Sequence, residues 1–90
     1  MSYAIRVSRR ADKVFERFDR SIAPRIRDRI DQLALNPYDS RLSHELEMVQ
    51  GQRYSRVGAW RIIYEVREND RIMFIVTIQH RSKVYKDLKK

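Results

Sequence analysis

Two stretches in the first third of the chain repeat apolar residues at helical spacing. The first stripe consists of Ala11, Val14, Phe15 and Phe18, and the second of Ile22, Ile26, Ile30, Leu33 and Ala34. Spacings of three and four residues place each stripe on one buried face of a helix. Ser8 is a suitable cap for a helix over residues 9–19, and Ser21 opens a second helix with Pro24 in its first turn. Pro37 marks the end of the second helix, because the residue before a proline disfavours helical backbone.

Shorter apolar runs, rich in β-branched and aromatic residues, predict strands over much of the remaining chain. These runs span residues 3–7, 52–57, 60–67 and 72–80. Turns at Gly58-Ala59 and at residues 68–71 join adjacent strands in antiparallel fashion. Residues 37–43 are predicted to be a loop, and residues 45–50 to extend into the sheet. The pattern predicts one domain over residues 1–90, of the α+β class, with two N-terminal helices packed on an antiparallel β-sheet.

Strict alternation assigns the side chains of the last two strands to the two faces of the sheet. In strand 60–67, one face carries Arg61, Ile63 and Glu65, and the other carries Trp60, Ile62, Tyr64 and Val66. In strand 72–80, one face carries Ile72, Phe74, Val76 and Ile78, and the other carries Met73, Ile75, Thr77, Gln79 and Arg81. The helices are expected to cover the more apolar face, which leaves the face with Arg61 open. Alternation also directs His80 away from Arg81, towards the helices.

The net charge of the chain favours anionic partners. Twenty Lys and Arg against twelve Asp and Glu give a net charge of +8, with an isoelectric point near 10.3. This balance favours phosphate backbones, anionic surfaces or an acidic protein. The chain has no cysteine and two histidines, so neither a disulfide framework nor a structural metal site is expected. Without a signal peptide or a membrane-spanning apolar run, a cytoplasmic location with no membrane association is expected.

Cationic side chains are concentrated around the predicted turn at Gly58 and at the end of the last strand. Arg56 and Arg61 lie on either side of that turn, and His80, Arg81, Lys83 and Tyr85 follow the last strand. Guanidinium groups bind phosphate oxygens in a bidentate manner and stay charged at any working pH. RNA or DNA is therefore the first substrate to consider.

Two segments of the chain also resemble a known family. The first is Leu46-Glu47-Met48 followed by residues 56–64, Arg-Val-Gly-Ala-Trp-Arg-Ile-Ile-Tyr, and the second is His80-Arg81 followed by Val84-Tyr85. Both segments, with the order strand, two helices and three-strand meander, are similar to the RelE/ParE superfamily of toxins from type II toxin–antitoxin systems. The resemblance implies a RelE-like microbial RNase-type fold. It also implies a RelB-like antitoxin partner and no cofactor.

The two branches of this superfamily imply different targets. RelE-like members are ribosome-dependent endoribonucleases that cut mRNA in the ribosomal A site without a metal, and the ribosome and mRNA would then be partners. ParE-like members share the fold and inhibit DNA gyrase. A third interpretation of the charge is a basic RNA-binding protein without toxicity. The nuclease is the predicted function, with the gyrase inhibitor as the alternative.

The resemblance assigns roles residue by residue. Arg61 matches the central phosphate-binding arginine, Arg81 the arginine at the end of the last strand, and Tyr85 the C-terminal tyrosine near the scissile phosphate. These three are the expected catalytic residues. The expected RNA-binding residues are Arg53, Tyr54, Arg56, His80 and Lys83. Tyr54 stands where related nucleases commonly carry a lysine, and Met48 replaces a usual glycine.

The general base and acid stay open at this stage. Metal-free RNA cleavage needs a base for the 2′-OH, cations for the phosphorane and an acid for the 5′-oxygen. Arginine suits the cationic task but does not deprotonate, so it cannot be the base. The candidates are Glu45, Glu47, His80, Lys83, Tyr85 and Tyr54. His44 lies in a loop-like segment and is predicted to have no role, and Arg61 has Glu65 as an alternative partner.

Overall fold

The computed structural model describes residues 2–81 of the chain. In order, its elements are β1 (Ala4–Val7), α1 (Arg9–Glu16), α2 (Ala23–Leu35), β2 (His44–Glu45), β3 (Gln52–Val57), β4 (Trp60–Arg67) and β5 (Ile72–His80). Two predicted site residues, Lys83 and Tyr85, lie outside the described residues, as does the rest of the basic segment 83–90. Neither helix of the described part is long and apolar enough to cross a membrane.

The five strands form one sheet in the order β1-β5-β4-β3-β2. Strands β2 to β5 pair in antiparallel fashion, as the short turns predict. The first strand departs from the prediction of a wholly antiparallel sheet, because β1 pairs with β5 in parallel, from Ala4 opposite Ile72 to Val7 opposite Ile75. A hairpin fixes its own direction, whereas a strand whose partner is distant in sequence can pair either way. The α+β class with two helices is confirmed.

Both helices cover the same face of the sheet, and the apolar stripes predicted from the sequence form its core. The fully or nearly fully buried residues of this core are Ala11, Ile26, Ile30, Leu33, Ala34, Val57, Ile62, Tyr64, Met73, Ile75 and Ile78. Phe15, Phe18 and Trp60 pack against it from the rim. We refer to the uncovered side of the sheet as the open face.

A β-bulge in β5 overturns the strict alternation predicted for that strand. The ladder between β4 and β5 pairs Ile63 with Thr77 but Tyr64 with Ile75, so Val76 is an extra residue. The extra residue shifts the alternation by one, so odd-numbered residues face the helices before Val76 and even-numbered residues face them after it. Ile75 and Ile78 are consequently both buried, although they are an odd number of residues apart. The faces of β4 itself follow the prediction.

The helix caps differ from the prediction at one of the two helices. The Ser8 hydroxyl accepts a hydrogen bond from the Ala11 N–H at 3.0 Å and caps α1, as predicted. Ser21 does not cap α2. The N-cap of α2 is Ile22, and no side chain caps this helix. In the turn before α2, the Asp19 carboxylate accepts from the Ser21 hydroxyl at 2.6 Å and from the N–H groups of Ile22 and Ser21, and these bonds lower the pKa of Asp19. Helix α1 ends at Glu16, before the predicted residue 19.

A buried chain of hydrogen bonds attaches the loop after α2 to the sheet. Arg53 Nε donates to the Ser43 hydroxyl at 2.7 Å, and the Tyr64 hydroxyl donates to the Pro37 carbonyl at 2.6 Å. Ser43 and Tyr64 are also hydrogen-bonded to each other. Because Tyr64 has only one proton to donate, Ser43 is the donor of that bond. Burial raises the pKa of Tyr64, which keeps its hydroxyl protonated in this structural role.

The segment predicted to extend the sheet over residues 45–50 is mostly a turn. Strand β2 consists of two residues, His44 and Glu45, paired with Tyr54 and Arg53 of β3. Residues 46–50 then turn back towards β3. This turn places the side chains of Leu46, Met48 and Val49 along a pocket on the open face.

Candidate nucleic-acid interface on the open face

The centre of the open face is a pair of arginines on neighbouring strands. Arg56 of β3 and Arg61 of β4 are direct partners in the antiparallel ladder, and Gln79 of β5 is the partner of Arg61 on its other side. Like charges placed directly opposite each other destabilise a sheet. A phosphate group bound between two guanidinium groups removes that repulsion and accepts several charge-assisted hydrogen bonds. The arginine pair is therefore suited to hold an anion.

The surroundings of Arg61 bear on its two predicted partners, a phosphate group and Glu65. The Arg61 guanidinium lies over the Tyr54 ring, 4.8 Å from the ring centroid. The Glu65 carboxylate is engaged elsewhere, because it accepts a hydrogen bond from Gln52 at 3.0 Å and lies 3.9 Å from Arg67. Among residues 2–81, no ion pair joins Glu65 to Arg61. A cation held against an aromatic ring keeps its hydrogen-bonding edge available to an anion.

Helix α2 supports the strand that carries Arg56. Arg29 donates one hydrogen bond to the Arg56 carbonyl at 2.7 Å and another to the Ser55 hydroxyl at 2.9 Å. Gly58 follows in the turn with a φ of +59°, a backbone conformation that favours glycine, and the Arg25 guanidinium lies beside it. The β3–β4 turn is thus fixed to α2 and holds the arginine pair in register.

His44, which the sequence predicts to have no role, lies on the open face beside Tyr54. The β2–β3 ladder pairs it with Tyr54, and the two rings lie 5.5 Å apart with an interplanar angle of 40°. Tyr54 in turn lies under Arg61, so His44, Tyr54 and Arg61 form a row across three strands. We call this set the open-face row. Only the pairing of a two-residue strand reveals it, and such a short strand carries almost no sequence signal.

A pocket of about 370 Å³ adjoins the open-face row. Its polar lining includes Arg61, Gln79 and Thr77, and its apolar lining includes Ile63 and the turn residues Leu46, Met48 and Val49. Arg10, from the first turn of α1, lies at its edge and adds a further cation that the sequence reasoning did not select. A mixture of cations, amide groups and apolar surface can accommodate both a phosphate and a nucleobase.

The structure places the remaining predicted residues in different surroundings. The Arg81 N–H donates to the Ala59 carbonyl at 2.6 Å, which brings the end of β5 beside the turn between Arg56 and Arg61. His80 pairs with Trp60 on the helix side, with ring centroids 5.0 Å apart, as alternation predicts. Arg53 is directed to the helix side, and its side chain is 17% exposed.

The glutamates offered as acid or base candidates lie at the β2 edge of the sheet. Glu45 and Glu47 line a cleft together with Tyr38, His44, Arg53 and Tyr54. The Glu45 carboxylate lies 3.9 Å from Arg53 Nη1. This cleft borders the end of the open-face row that is farther from Arg61.

The fold, a small α+β domain with two helices on one side of a five-stranded sheet, matches that of solved RelE toxins. Residues 5–85 match the family described as the ParE toxin of the type II toxin–antitoxin system parDE. The chain therefore belongs to this toxin family. None of the curated proteins shows significant sequence similarity to it.

Solved structures of RelE proteins share the fold at low sequence identity. A chain of the archaeal RelE–RelB complex from Pyrococcus horikoshii OT3 is 21% identical with a TM-score of 0.77, covering 92% of this chain and 99% of that one. The isolated E. coli RelE toxin is 15% identical with a TM-score of 0.77, covering 98% and 96%. A chain of the intact E. coli RelBE complex is 12% identical with a TM-score of 0.78, covering 88% and 96%. At these identities the likeness concerns the fold.

Proposed function

We propose that this toxin is a metal-independent endoribonuclease that cuts mRNA in the ribosomal A site and so inhibits translation. The observation that carries the proposal is the arginine pair of Arg56 and Arg61 on the open face. The Tyr54 ring beneath Arg61 holds this guanidinium on the open face. Such an enzyme acts in the cytoplasm, where its ribosome and mRNA partners are found.

The arginine pair suits the transition state of RNA cleavage. Attack of the 2′-oxygen on phosphorus gives a phosphorane with two negative charges, and fixed cations stabilise this species more than the starting phosphodiester. Arg61 is the central contact because it is flanked by Arg56 on one strand and Gln79 on the other. Arg81, at the end of β5, and Tyr85 are the further catalytic residues of the proposal.

We expect ribosome dependence because the arginines at the centre of the site cannot take up a proton. A site short of acid and base groups must take more of its rate enhancement from the alignment of the RNA. Alignment of the reacting groups can contribute as much as ~7–11 kcal/mol to a barrier. A ribosome that holds the codon in a fixed, splayed conformation supplies this alignment. We therefore expect slow cleavage of naked RNA and fast cleavage of A-site codons.

The alternative is a gyrase inhibitor, and the match to the ParE toxin family favours it. Tyr54 in place of a lysine points the same way. A gyrase inhibitor, however, has no need of phosphate-binding groups at the centre of the open face. This is the physical reason for preferring the nuclease.

One experiment separates the two functions. The toxin is induced without an antitoxin, and mRNA ends are mapped against the reading frame while DNA damage is monitored. Cuts at translated codons that disappear in Arg61→Ala support the nuclease. DNA damage with intact mRNA would establish the gyrase inhibitor instead.

An antitoxin is the partner that completes the proposal. The structural relatives include RelE bound to RelB. A net charge of +8 favours an acidic or amphipathic segment as the inhibitor. We propose that a RelB-like antitoxin silences the toxin by lying over the open face or by displacing the basic segment 83–90.

A further inference from the structure

We infer that His44 is the general base of the proposed cleavage, taking the proton from the attacking 2′-hydroxyl. The inference rests on the proposed nuclease function and adds a catalytic residue to it. It supplies the general base that the site otherwise lacks, because the arginines proposed to bind the phosphate cannot take up a proton. Histidine is the side chain whose ordinary pKa falls between pH 5 and 8, so it can accept a proton near neutrality.

The position of His44 is fixed by strand pairing. The ladder sets His44 opposite Tyr54, and the contact between their rings holds the imidazole on the open face. The same Tyr54 ring carries the Arg61 guanidinium on top of it, 4.8 Å from its centroid. The base and the phosphate-binding cation are therefore both positioned by one aromatic ring. We expect a nucleotide whose phosphate binds Arg61 to extend along this row, with its ribose towards His44.

This arrangement gives Tyr54 a role that its residue type alone does not suggest. A lysine at position 54 would place a proton-transfer group in the middle of the open face. Tyr54 instead orients a proton-transfer group that the neighbouring strand supplies. Tyr54 is thus a positioning residue, and His44 is the group that contacts the 2′-hydroxyl.

The chemical step is balanced without a metal or an added reagent. A neutral imidazole nitrogen of His44 takes the 2′-OH proton while the 2′-oxygen forms a bond to phosphorus. The bond between phosphorus and the 5′-oxygen breaks, and the leaving oxygen takes a proton from water. The products are a 2′,3′-cyclic phosphate and a 5′-hydroxyl, with the charge of the phosphorane stabilised by the arginine pair.

His80, the other histidine of the chain, does not share this position. Its ring packs against Trp60 on the helix side of the sheet. The two carboxylates offered as candidates, Glu45 and Glu47, line the cleft beside His44 at the β2 edge of the sheet.

The charged and titratable groups around His44 come from four parts of the chain. The loop after α2 contributes Tyr38, the β2 segment contributes Glu45 and Glu47, and β3 contributes Arg53 and Tyr54, with Arg61 of β4 beyond the Tyr54 ring. A general base acts only in its unprotonated form, so the proposed cleavage should slow at acid pH.

The test measures single-turnover cleavage of A-site mRNA by the purified toxin on programmed ribosomes, across about pH 5 to 8. The chain has only two histidines, so His44→Gln and His80→Gln each leave one titrating imidazole. His44→Ala is assayed with and without added imidazole. Arg61→Ala is the control, because it should lower the rate without removing the general base. Thermal unfolding checks that every variant is folded.

We expect His44→Gln to lower the single-turnover rate by ~10²–10⁴ with little change in KM, and to abolish the fall in rate at acid pH. We expect added imidazole to restore His44→Ala in part but not Arg61→Ala, and the acid limb to persist in His80→Gln. Wild-type rate and pH profile in His44→Gln, or an acid limb lost only in His80→Gln, would overturn the inference alone. An inactive wild-type toxin on programmed ribosomes would overturn the proposed function, and the inference with it.

Discussion

Five arginines of residues 2–81 lie over aromatic rings, and the surroundings of three of them, Arg53, Arg61 and Arg67, assign them different tasks. Arg53 is mostly buried over Tyr38 and is hydrogen-bonded to Ser43, which makes it part of the packing around the loop. Arg67 lies over Phe74 near the end of β4, close to Glu65. Arg61 lies over Tyr54 with a second arginine opposite it. The residue paired with each arginine therefore indicates its task. Arg61, which faces a second arginine, is suited to bind an anion, whereas Arg53 and Arg67 have structural contacts.

The first prediction concerns Arg61. Arg61→Ala should lower A-site cleavage by ~10²–10³, because it removes one preorganised cation from the transition state. Arg67→Ala is the matched control, since Arg67 lies on the same strand and also stacks on an aromatic ring. Single-turnover cleavage and growth arrest on induction measure the effect. Growth arrest at wild-type strength by soluble Arg61→Ala would remove Arg61 from the site.

The second prediction concerns the hydroxyl of Tyr64. Tyr64→Phe should lower the free energy of unfolding by about 1–3 kcal/mol, because the Pro37 carbonyl and the Ser43 hydroxyl lose a buried partner. Tyr38→Phe should cost less, since the hydroxyl of Tyr38 is hydrogen-bonded to Glu68 at an exposed site. Urea unfolding of both variants makes the comparison. Equal losses would show that the buried chain of hydrogen bonds does not attach the loop.

At the scale of the element, a single serine connects the first helix to the bulged strand. The Ser8 hydroxyl accepts from the Ala11 N–H and donates to the Val76 carbonyl at 2.6 Å. Val76 is the extra residue of β5, so this bond satisfies a carbonyl at the place where the ladder is interrupted. One side chain thereby caps α1 and supports the bulge that places Thr77 and Gln79 on the open face.

The third prediction follows from this double role. Ser8→Ala should destabilise the fold by about 0.5–2 kcal/mol, which is the usual cost of losing a helix cap, with the bond to Val76 placing it in the upper part of that range. Ser21→Ala should have a smaller effect, because the Ser21 hydroxyl caps no N–H group of α2 and donates only to the exposed Asp19 carboxylate. Midpoints of chemical unfolding provide the measurement. A greater loss for Ser21→Ala would contradict this assignment of the caps.

At the scale of the whole molecule, the two sides of the sheet have separate tasks. The helices bury one side in a continuous apolar core, and the other side presents the arginine pair, the open-face row and the adjoining pocket. A net charge of +8 then acts over a longer range than any single contact. Both the proposed RNA substrate and the proposed antitoxin are partners that this charge attracts.

The fourth prediction concerns that attraction. We expect an acidic RelB-like antitoxin to form a tight complex that co-purifies with the toxin and whose association rate falls as salt is raised. Stopped-flow binding at increasing salt measures it, with a neutral osmolyte as the control for nonspecific effects. An association rate that stays constant over the salt series would mean that contacts other than charge direct the encounter.

The sequence by itself determined both helices, the strands other than β2, and the family, because periodic apolar spacing and short turns are local features. The stripes of α1 and α2, the Gly58 turn and the faces of β4 all follow from residues close together in the chain. Tertiary structure alone decided the parallel pairing of β1, the bulge at Val76 and the position of His44. Each depends on a partner far away in sequence, or on one extra residue that shifts the alternation by one. The open-face row exists only when separate strands are in register, and for this reason the base we propose could not be found in the sequence.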